Sequence, residues 1–359
     1  MSNYIEYKDT VAFHPGYYIK EFVEESGLTQ EDFAKRLDTT PKNLSVLISG
    51  NQSLSIDIAM KLSRMVGTSV EYWLNLQKKY DSLVAEFKSD EELAKEKQVL
   101  KLTDYKYFVE NFGLPELPRK TEQQAEQTRA FLGVATLSVF EELDLASSFR
   151  SHSESLSPSN VVNANIMVQI AINKALKVSG PKFNKKKFQE AIEYALTLTS
   201  NHGEFLQLVK KAFWEAGVIL VVLPNLKNSG INGATKKVGD KVMLMVNDRN
   251  KYADTFWFSL FHEIGHIVNG DYGISFCDRK GDEEDTADLY ARNKLIPAEA
   301  YESFKKQGVI SERTIRKFAE EIGRDPGIVF GRLQKDGIIS YADTALSQAL
   351  RHKYRVKLV

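Results

Sequence analysis

The sequence predicts a mainly α-helical protein with a small α+β part towards its C-terminus. Residues 11–80 contain five closely spaced helix starts separated by turn signals, which is typical of a small helical bundle. Helical patterns continue through residues 81–200, and further along the chain the order becomes helix, strand, strand and helix. Because 359 residues exceed what one core usually organises, we expect three parts: residues 1–80, 81–200 and 201–359.

The composition is that of an ordinary globular protein. The chain has 48 basic and 48 acidic residues, which excludes polyelectrolyte behaviour. Cys277 is its single cysteine, so an intramolecular disulfide is excluded and a reducing cytoplasm is favoured. The N-terminus lacks a signal-peptide pattern, and no apolar run is long enough to cross a bilayer. We therefore expect a cytoplasmic protein that does not bind membranes.

The helix starts of the first part are marked by residues that suit the first turn or the N-cap of a helix. Pro15 and Pro41 suit first helical positions, since proline lacks the amide proton that is unpaired there. The hydroxyl groups of Thr29 and Ser55 can accept hydrogen bonds from unpaired amides, so both residues are predicted N-caps. These signals place the five helices of the bundle.

Residues 29–51 have the layout of a helix-turn-helix: a helix over 30–37, a tight turn at Asp38 and a helix over 41–48. The predicted inward set is apolar and consists of Phe33, Ala34, Leu37, Leu44 and Leu47. In such a module the second helix presents its outward residues to base edges, here Lys42, Asn43, Ser45 and Val46. The predicted phosphate contacts, which set register without reading sequence, are Gln30, Ser49 and Asn51.

Four separated motifs within the first 80 residues resemble the XRE class of helix-turn-helix regulators, and more closely its HigA/VapI antitoxin branch. These motifs are His14-Pro15-Gly16, Gly27-Leu28-Thr29-Gln30, Ser49-Gly50-Asn51 and Tyr72-Trp73-Leu74-Asn75-Leu76-Gln77. The resemblance implies operator DNA as a partner, a homodimer and, in the antitoxin branch, a toxin. Two positions depart from the pattern: Asp38 stands where glycine is usual, and Pro41 replaces a polar base-reading residue.

The charge of the first part does not favour DNA binding. Residues 1–80 contain nine Lys or Arg and ten Asp or Glu, so the net positive charge that drives most phosphate binding is missing. DNA binding therefore needs a local patch, for which Lys35, Arg36 and Lys42 are the candidates. The alternative is a bundle that serves only protein interaction or dimerisation.

The third part contains the sequence His262-Glu263-Ile264-Gly265-His266 on a predicted amphipathic helix. A four-residue step brings both imidazoles to one side of a helix, so they can bind one zinc ion. Catalytic zinc takes a third protein ligand, for which Glu284 is the best candidate. Asp288 lies one turn further on and can orient a ligand imidazole, while Glu263 can act as general base in amide hydrolysis. The alternative is that the HExxH pattern has arisen by chance and binds no metal.

These residues resemble the ImmA/IrrE family of zinc metallopeptidases, whose pattern is HExxH followed by ExxA, an aromatic residue and Ala. Here the second half reads Glu284, Ala287, Tyr290 and Ala291. The resemblance covers roughly the last 150 residues and implies a gluzincin-like fold and zinc-dependent endopeptidase activity. Tyr290 stands where phenylalanine is commoner, and either packs in the core or offers a phenol to an oxyanion.

Two further hypotheses concern the neighbourhood of the metal motif. The predicted strand 241–246 would be able to pair with an extended substrate peptide if it lay at a sheet edge. Cys277 lies between the two metal-binding helices and is either an ordinary loop cysteine or a redox-sensitive gate.

The expected protein is thus a DNA-binding regulator that carries a zinc-dependent endopeptidase domain. The family resemblance implies that such a peptidase cleaves a helix-turn-helix repressor, in trans or on its own chain. The alternative is a non-cleaving antitoxin or ligand sensor whose peptidase-like domain only binds a partner. A third possibility is a peptidase whose N-terminal bundle only recruits the substrate.

Overall fold

The computed structural model describes residues 3–142, 156–249, 251–276 and 282–354. Contacts between residues divide the chain into two compact units, Met1–Lys95 and Glu96–Val359. The finer division expected at residues 80 and 200 stays a prediction. None of the helices within the described residues is both long enough and apolar enough to span a bilayer.

The first unit begins with a β-hairpin that the sequence patterns did not predict. Strands β1 (Tyr4–Tyr7) and β2 (Thr10–Phe13) pair antiparallel. The five predicted helices follow and are confirmed: α1 (Pro15–Glu25), α2 (Gln30–Arg36), α3 (Pro41–Ile48), α4 (Ile56–Val66) and α5 (Val70–Leu102), of which the last extends beyond Lys95.

The helix starts in this unit form as their capping residues predict. The Thr29 and Ser55 side chains accept hydrogen bonds from backbone amides three residues further on, and Pro15 and Pro41 occupy the first turns of α1 and α3. Asp38 adopts the left-handed conformation, at φ 52°, in the turn between α2 and α3. The predicted inward set is buried in one core: Phe33, Ala34, Leu37, Leu44 and Leu47.

The second unit opens with helices and continues with a mixed part. Its first elements are α6 (Tyr105–Phe112), α7 (Thr121–Leu132), a 3-10 turn (Leu137–Glu141), α8 (Pro158–Leu176), α9 (Lys185–Thr197) and α10 (Phe205–Glu215). The strands are β3 (Val218–Leu223), β4 (Ile231–Val238), β5 (Lys241–Asn247) and β6 (Ile274–Phe276). The remaining helices are α11 (Ala253–Asn269), α12 (Asp282–Leu295), α13 (Ala298–Lys305), α14 (Glu312–Glu321), α15 (Pro326–Lys335) and α16 (Thr344–Leu350).

The four strands form one sheet in the order β3-β5-β4-β6. Strand β3 runs parallel to β5, whereas β4 runs antiparallel to both β5 and β6. The predicted strand over residues 241–246 is therefore interior, so it does not meet the condition for pairing with a substrate peptide. The edges are β3 and the short strand β6.

Residues 230–239 contain glycines and lysines that predict a loop between the two expected strands, and this prediction is wrong, because residues 231–238 form strand β4. The strand pairs with β5 through a two-residue turn at Gly239 and Asp240, and Gly239 has the positive φ that such turns require. The glycine and lysine content of this segment favoured a loop. Pairing on both sides stabilises it as a strand, since β propensity yields readily to tertiary context.

Strand β3 is buried on both faces although it is an edge of the sheet. Val218, Leu220 and Val222 of β3 belong to the same core as the apolar face of α11. The alternate residues Ile219 and Val221 are also buried and face the opposite side, where α8 contacts β3, β4 and β5. This two-sided burial explains why the sequence of β3 is an uninterrupted apolar run.

Candidate functional site

Helix α11, which carries the HExxH residues, is held in place by an apolar face that packs into the core of the second unit. The buried residues of this apolar face are Trp257, Leu260, Phe261, Ile264 and Ile267. The helix ends at Gly270, whose φ of 85° allows the left-handed cap. Helix α12 packs along α11, which brings its acidic residues beside the two imidazoles.

The three predicted metal ligands lie together. The Nε2 atom of His262 is 3.1 Å from Nε2 of His266 and 3.1 Å from Oε2 of Glu284. The Nε2 atom of His266 is 3.9 Å from the same Glu284 oxygen. One donor atom from each residue lies within 4.8 Å of the other two, and all three residues are buried. This spacing is compact enough for one ion to contact all three atoms.

A carboxylate faces the other nitrogen of each imidazole. The Nδ1 atom of His262 lies 2.9 Å from Oδ1 of Asp288, and Nδ1 of His266 lies 2.8 Å from Oδ2 of Asp271. An ionised carboxylate can only accept, so each Nδ1 must be the donor of this hydrogen bond. The structure therefore places the predicted residue Asp288 beside His262, as the pattern suggested.

Because Asp288 and Asp271 fix the tautomers of the two imidazoles, lone pairs of several atoms point into the same small space. With Nδ1 of His262 and His266 protonated, both neutral rings present the lone pair of Nε2 to each other and to the Glu284 carboxylate. Such an arrangement is repulsive unless a cation lies between the three groups. The residues therefore fit a divalent metal with nitrogen and oxygen ligands, for which zinc is the usual choice.

Without a metal ion, a proton on His262 supplies the positive charge between these groups. Burial lowers the pKa of His262, but hydrogen bonds with the Asp288 and Glu284 carboxylates outweigh this effect and raise the pKa to about 10. Burial raises the pKa of Asp288, but the hydrogen bond from His262 and the positive charge of Lys335 lower it below its usual range. A metal ion binding here must displace that proton.

Glu263 is fully buried, and neither of its carboxylate oxygens has a hydrogen-bond partner at bonding distance among the described residues. Burial raises its pKa to about 6, while both imidazoles and the nearby Ser275 hydroxyl lower it. A buried carboxylate without a partner is costly, and such groups are concentrated where proton transfer takes place. Its position beside both imidazoles suits the predicted general base.

Two glycines allow the close packing around these side chains. A Cβ atom on Gly233 of β4 would lie 2.6 Å from the Glu263 carboxyl carbon, so only glycine leaves room for this side chain. A Cβ atom on Gly265 would lie 3.1 Å from Cα of Ala287, which explains why α11 and α12 approach so closely. Gly265 and Ala287 both belong to the motif that predicted the site.

The two remaining predictions near the site have different outcomes. Tyr290 packs against the hydrophobic core of the second unit, and burial raises its pKa to about 12. This placement agrees with the structural interpretation of Tyr290 and gives no support to an oxyanion role. Cys277 lies outside the described residues, so the proposed gate stays a prediction.

The second helix of the predicted helix-turn-helix is α3, and its predicted base-reading residues are not equally exposed. Lys42 and Ser45 are exposed, whereas Asn43 and Val46 are partly buried. The Asn43 amide donates to the Thr39 hydroxyl at 2.8 Å, so base recognition by Asn43 would have to compete with this bond. Of the three predicted phosphate contacts, Gln30 and Asn51 are exposed and Ser49 is partly buried.

Comparison with known proteins identifies the first unit. A family model described as a helix-turn-helix matches residues 19–73. An uncharacterized HTH-type transcriptional regulator of Escherichia coli, YddM, is 35% identical over 72 residues, which are 20% of this chain and 77% of that protein. The chain belongs to the helix-turn-helix family.

Two further proteins are similar to the same part of this helix-turn-helix protein. Virulence-associated protein A' of Dichelobacter nodosus is 41% identical over 69 residues, which are 19% of this chain and 60% of that protein. The solved structure of an addiction module antidote protein of a HigA family from Coxiella burnetii is 31% identical and covers 23% of this chain and 91% of its own, with a TM-score of 0.22. The matches cover less than a quarter of this chain.

The basic patch expected in the helix-turn-helix protein is exposed, but an acidic neighbour partly offsets its positive charge. Lys35, Arg36 and Lys42 are all exposed in the first unit. Lys35 forms an ion pair with Glu31 one turn earlier in α2, at 3.1 Å. An exposed pair of this kind is weak, so a phosphate group can compete for the lysine.

Sequence reasoning missed two residues that shape the candidate metal site in the second unit of the helix-turn-helix protein. Asp271 was overlooked because it follows the helix rather than lying on it, although its position directly after the C-cap Gly270 was a usable signal. Gly233 could not be linked to the site because the sequence around it favours a loop, whereas it lies in strand β4. Nothing in the local pattern linked it to Glu263.

Proposed function

We propose that this protein is a DNA-binding transcriptional regulator whose second unit is a zinc-dependent endopeptidase. The observation that carries the peptidase half is the convergence of three electron-pair donors beside a buried carboxylate without a partner. If the HExxH sequence had arisen by chance, we would not expect a separate carboxylate to orient each of the two imidazoles, as Asp288 and Asp271 do. The proposed substrate is a helix-turn-helix repressor or this chain itself.

His262, His266 and Glu284 would hold the zinc ion in this proposal. Zinc at such a site polarises a carbonyl group and makes water a better nucleophile at neutral pH. Asp288 and Asp271 hold the two imidazoles in the tautomer and orientation that metal binding requires. Glu263 accepts the proton of the attacking water at its carboxylate, and Gly233 leaves the space in which this carboxylate lies.

Strand β6 is the proposed docking strand for an extended peptide. It is an edge of the sheet, and its other side pairs with β4 through Ser275 and Gly233. Ser275 lies close enough to Glu263 to influence its pKa. A peptide added to this edge as a further strand would therefore pass beside the general base.

The regulatory half of the proposal is supported by the family membership of the first unit. Helix α3 would lie in the major groove of an operator upstream of the protein's own gene, and Lys42 and Ser45 are the residues best exposed for contact. We expect a homodimer, because two half-sites double the few phosphate contacts that this unit offers. The relation to antitoxins makes a toxin the proposed protein partner.

The peptidase half is tested by incubating the zinc-loaded protein with candidate repressors and with itself. New chain termini, identified by mass spectrometry, are expected for the wild type and not for Glu263→Gln. Fragments that form equally with Glu263→Gln, or no fragments with any repressor encoded near the gene, would contradict endopeptidase activity. The second result would favour the non-cleaving partner-binding function.

The DNA-binding half is tested separately by footprinting on the region upstream of the gene. A protected site with two-fold symmetry is expected, since a dimer contacts two half-sites about one helical turn apart. Absence of protection with both the wild type and Glu263→Gln would contradict a repressor and favour a substrate-recruiting role of the first unit.

A further inference from the structure

A cavity of about 520 Å³ adjoins the candidate metal centre in the second unit. Helices α11, α12 and α15 form its walls, and His262 and Asp288 lie at one end of it. The volume is within the range of small-molecule and peptide side-chain sites, roughly 300 to 1,000 Å³. The cavity is therefore large enough to hold part of a substrate while the metal ligand His262 forms its boundary.

The cavity follows one stripe of α11. Thr255, Phe258, Ser259 and His262 line it, and these positions are three or four residues apart. From Thr255 to His262 the helix advances about 10 Å, which is the length of about three residues of an extended peptide. The cavity can thus accommodate the residues on one side of a scissile bond placed at the metal.

Two of the four cationic side chains that line the cavity, Arg351 and Arg332, have carboxylate partners of their own. Arg351 donates to both carboxylate oxygens of Asp254, at 3.0 and 2.8 Å. Arg332 donates to Asp336 at 2.9 Å. Each of these two guanidinium groups is matched by its own carboxylate, so neither leaves net charge for a ligand.

At the end next to the metal ligands, the other two cationic side chains share one carboxylate. The Lys335 ammonium is 3.2 Å from Oδ2 of Asp288, and a guanidinium nitrogen of Arg292 is 3.8 Å from the same oxygen. Asp288 must in addition accept the hydrogen bond from His262. One carboxylate therefore serves two cations and an imidazole, and the Lys335 side chain remains 59% exposed. At this end two cationic side chains, Arg292 and Lys335, line the cavity against one carboxylate, Asp288, because Glu284 does not line it.

We propose that this end of the cavity, lined by Lys335 and Arg292, binds the acidic side chain of a peptide substrate. The proposal rests on the proposed endopeptidase function and names the substrate class for it. Lys335 is exposed enough to turn from Asp288 to an incoming carboxylate, and Arg292 offers further donors. An acidic residue is favoured over its amide because the amide supplies no negative charge to pair with these two cations.

The test measures binding rather than cleavage. Full-length Glu263→Gln protein is titrated with the probes acetyl-Ala-Ala-Glu-Ala-Ala-amide and acetyl-Ala-Ala-Gln-Ala-Ala-amide, and binding is followed by ligand-observed NMR. We expect the Glu peptide to bind roughly threefold to tenfold more tightly than the Gln peptide, with the ratio falling as salt is added. Adding Lys335→Gln to this background should bring the ratio close to one. Lys317→Gln removes an exposed lysine outside the cavity and should leave the ratio unchanged.

Three results would overturn the proposal: equal binding of the two peptides, no binding of either, or a ratio that survives Lys335→Gln. A merely structural role of Lys335 would weaken both peptides alike and leave their ratio unchanged. These outcomes differ from failure of the proposed function, which is decided by the appearance of new termini and not by this comparison.

Discussion

Asp271 and Asp288 decide how the two imidazoles are presented, and only one of them could be predicted. Asp288 follows from helical spacing, since it lies one turn after Glu284 on α12. Asp271 lies beyond the end of α11, where no periodicity applies, and its contact with His266 arises from the turn at Gly270. Residues on regular helices can thus be placed from sequence, whereas those on connecting turns depend on the fold.

Replacement of Asp271 by asparagine should weaken zinc binding by roughly 10- to 100-fold, because the amide no longer fixes the tautomer of His266 as firmly. Zinc affinity measured by competition with a chromogenic chelator checks this. Asp240→Asn, which changes an exposed carboxylate in the same unit, should have no effect. Unchanged affinity in Asp271→Asn would mean that His266 needs no orienting group.

Gly233 gives a second prediction, which concerns stability. A methyl group at this position would collide with the Glu263 carboxyl group, so Gly233→Ala should lower the free energy of unfolding by about 1–3 kcal/mol. Most of this loss should disappear when Glu263→Ala is added, since the colliding atoms are then absent. Denaturant unfolding of the two single variants and the double variant measures the coupling.

Gly203→Ala is the matched control for this cycle, because a methyl group there would meet only the Asn201 side chain, at 4.0 Å. It should cause little loss alone and show no coupling to Glu263→Ala. Additive effects of Gly233→Ala and Glu263→Ala would show that the methyl group at position 233 does not collide with the Glu263 carboxyl group.

The packing of α11 against α12 holds Glu284, the third proposed ligand, beside His262 and His266. Gly265 faces Ala287 across this contact, and the backbone of α12 lies where a larger side chain would go. The HExxH and ExxA patterns therefore encode two things at once: the ligands, and the small residues that bring their helices together. For this reason the proximity of His262, His266 and Glu284 could be predicted without knowledge of the fold.

Gly265→Val should push the two helices apart and reduce zinc affinity by at least about tenfold, with a loss of about 1–3 kcal/mol in stability from overpacking. Asn269→Val adds the same side chain at an exposed position of α11 and is the control. Calorimetric zinc titration and thermal unfolding measure both effects. If Gly265→Val binds zinc as tightly as Asn269→Val, the spacing of the helices does not control the site.

Strand β4 shows where sequence patterns fail at the level of elements. It contains Gly233 and a lysine pair and lies between Gly230 and Gly239, a composition that favours a loop, yet β5 and β6 pair with it on both sides. Helix α3, by contrast, begins at Pro41 and ends at Ile48 as predicted, because a capping threonine and a proline act locally. Local signals were reliable here, and elements stabilised by distant partners were not.

Lys42 on α3 provides the prediction for DNA. Lys42→Gln should weaken operator binding at all sequences alike and reduce the slope of log affinity against log salt by about 0.9, the value for one phosphate contact. Lys88→Gln removes the same charge from an exposed position of α5 and should leave the slope unchanged. Loss of sequence preference without a change in slope would instead show that Lys42 reads a base.

The two candidate functions lie in different compact units of the chain. The helix-turn-helix match ends at residue 73, within the unit Met1–Lys95, whereas His262, His266 and Glu284 lie in the unit Glu96–Val359. The organisation into a helical first part and a mixed later part was predictable from helix spacing and the change of periodicity. The pairing that closes the sheet was not, because it joins segments far apart in sequence.

The convergence of His262, His266 and Glu284 on one ion is tested by elemental analysis of purified full-length protein. About one zinc per chain is expected for the wild type and for Glu299→Ala, which changes an exposed carboxylate in the same unit. Glu284→Ala and His266→Ala should lose the metal while remaining folded by circular dichroism. Zinc content that is absent from the wild type, or equal in all four proteins, would contradict a metal site at these three residues.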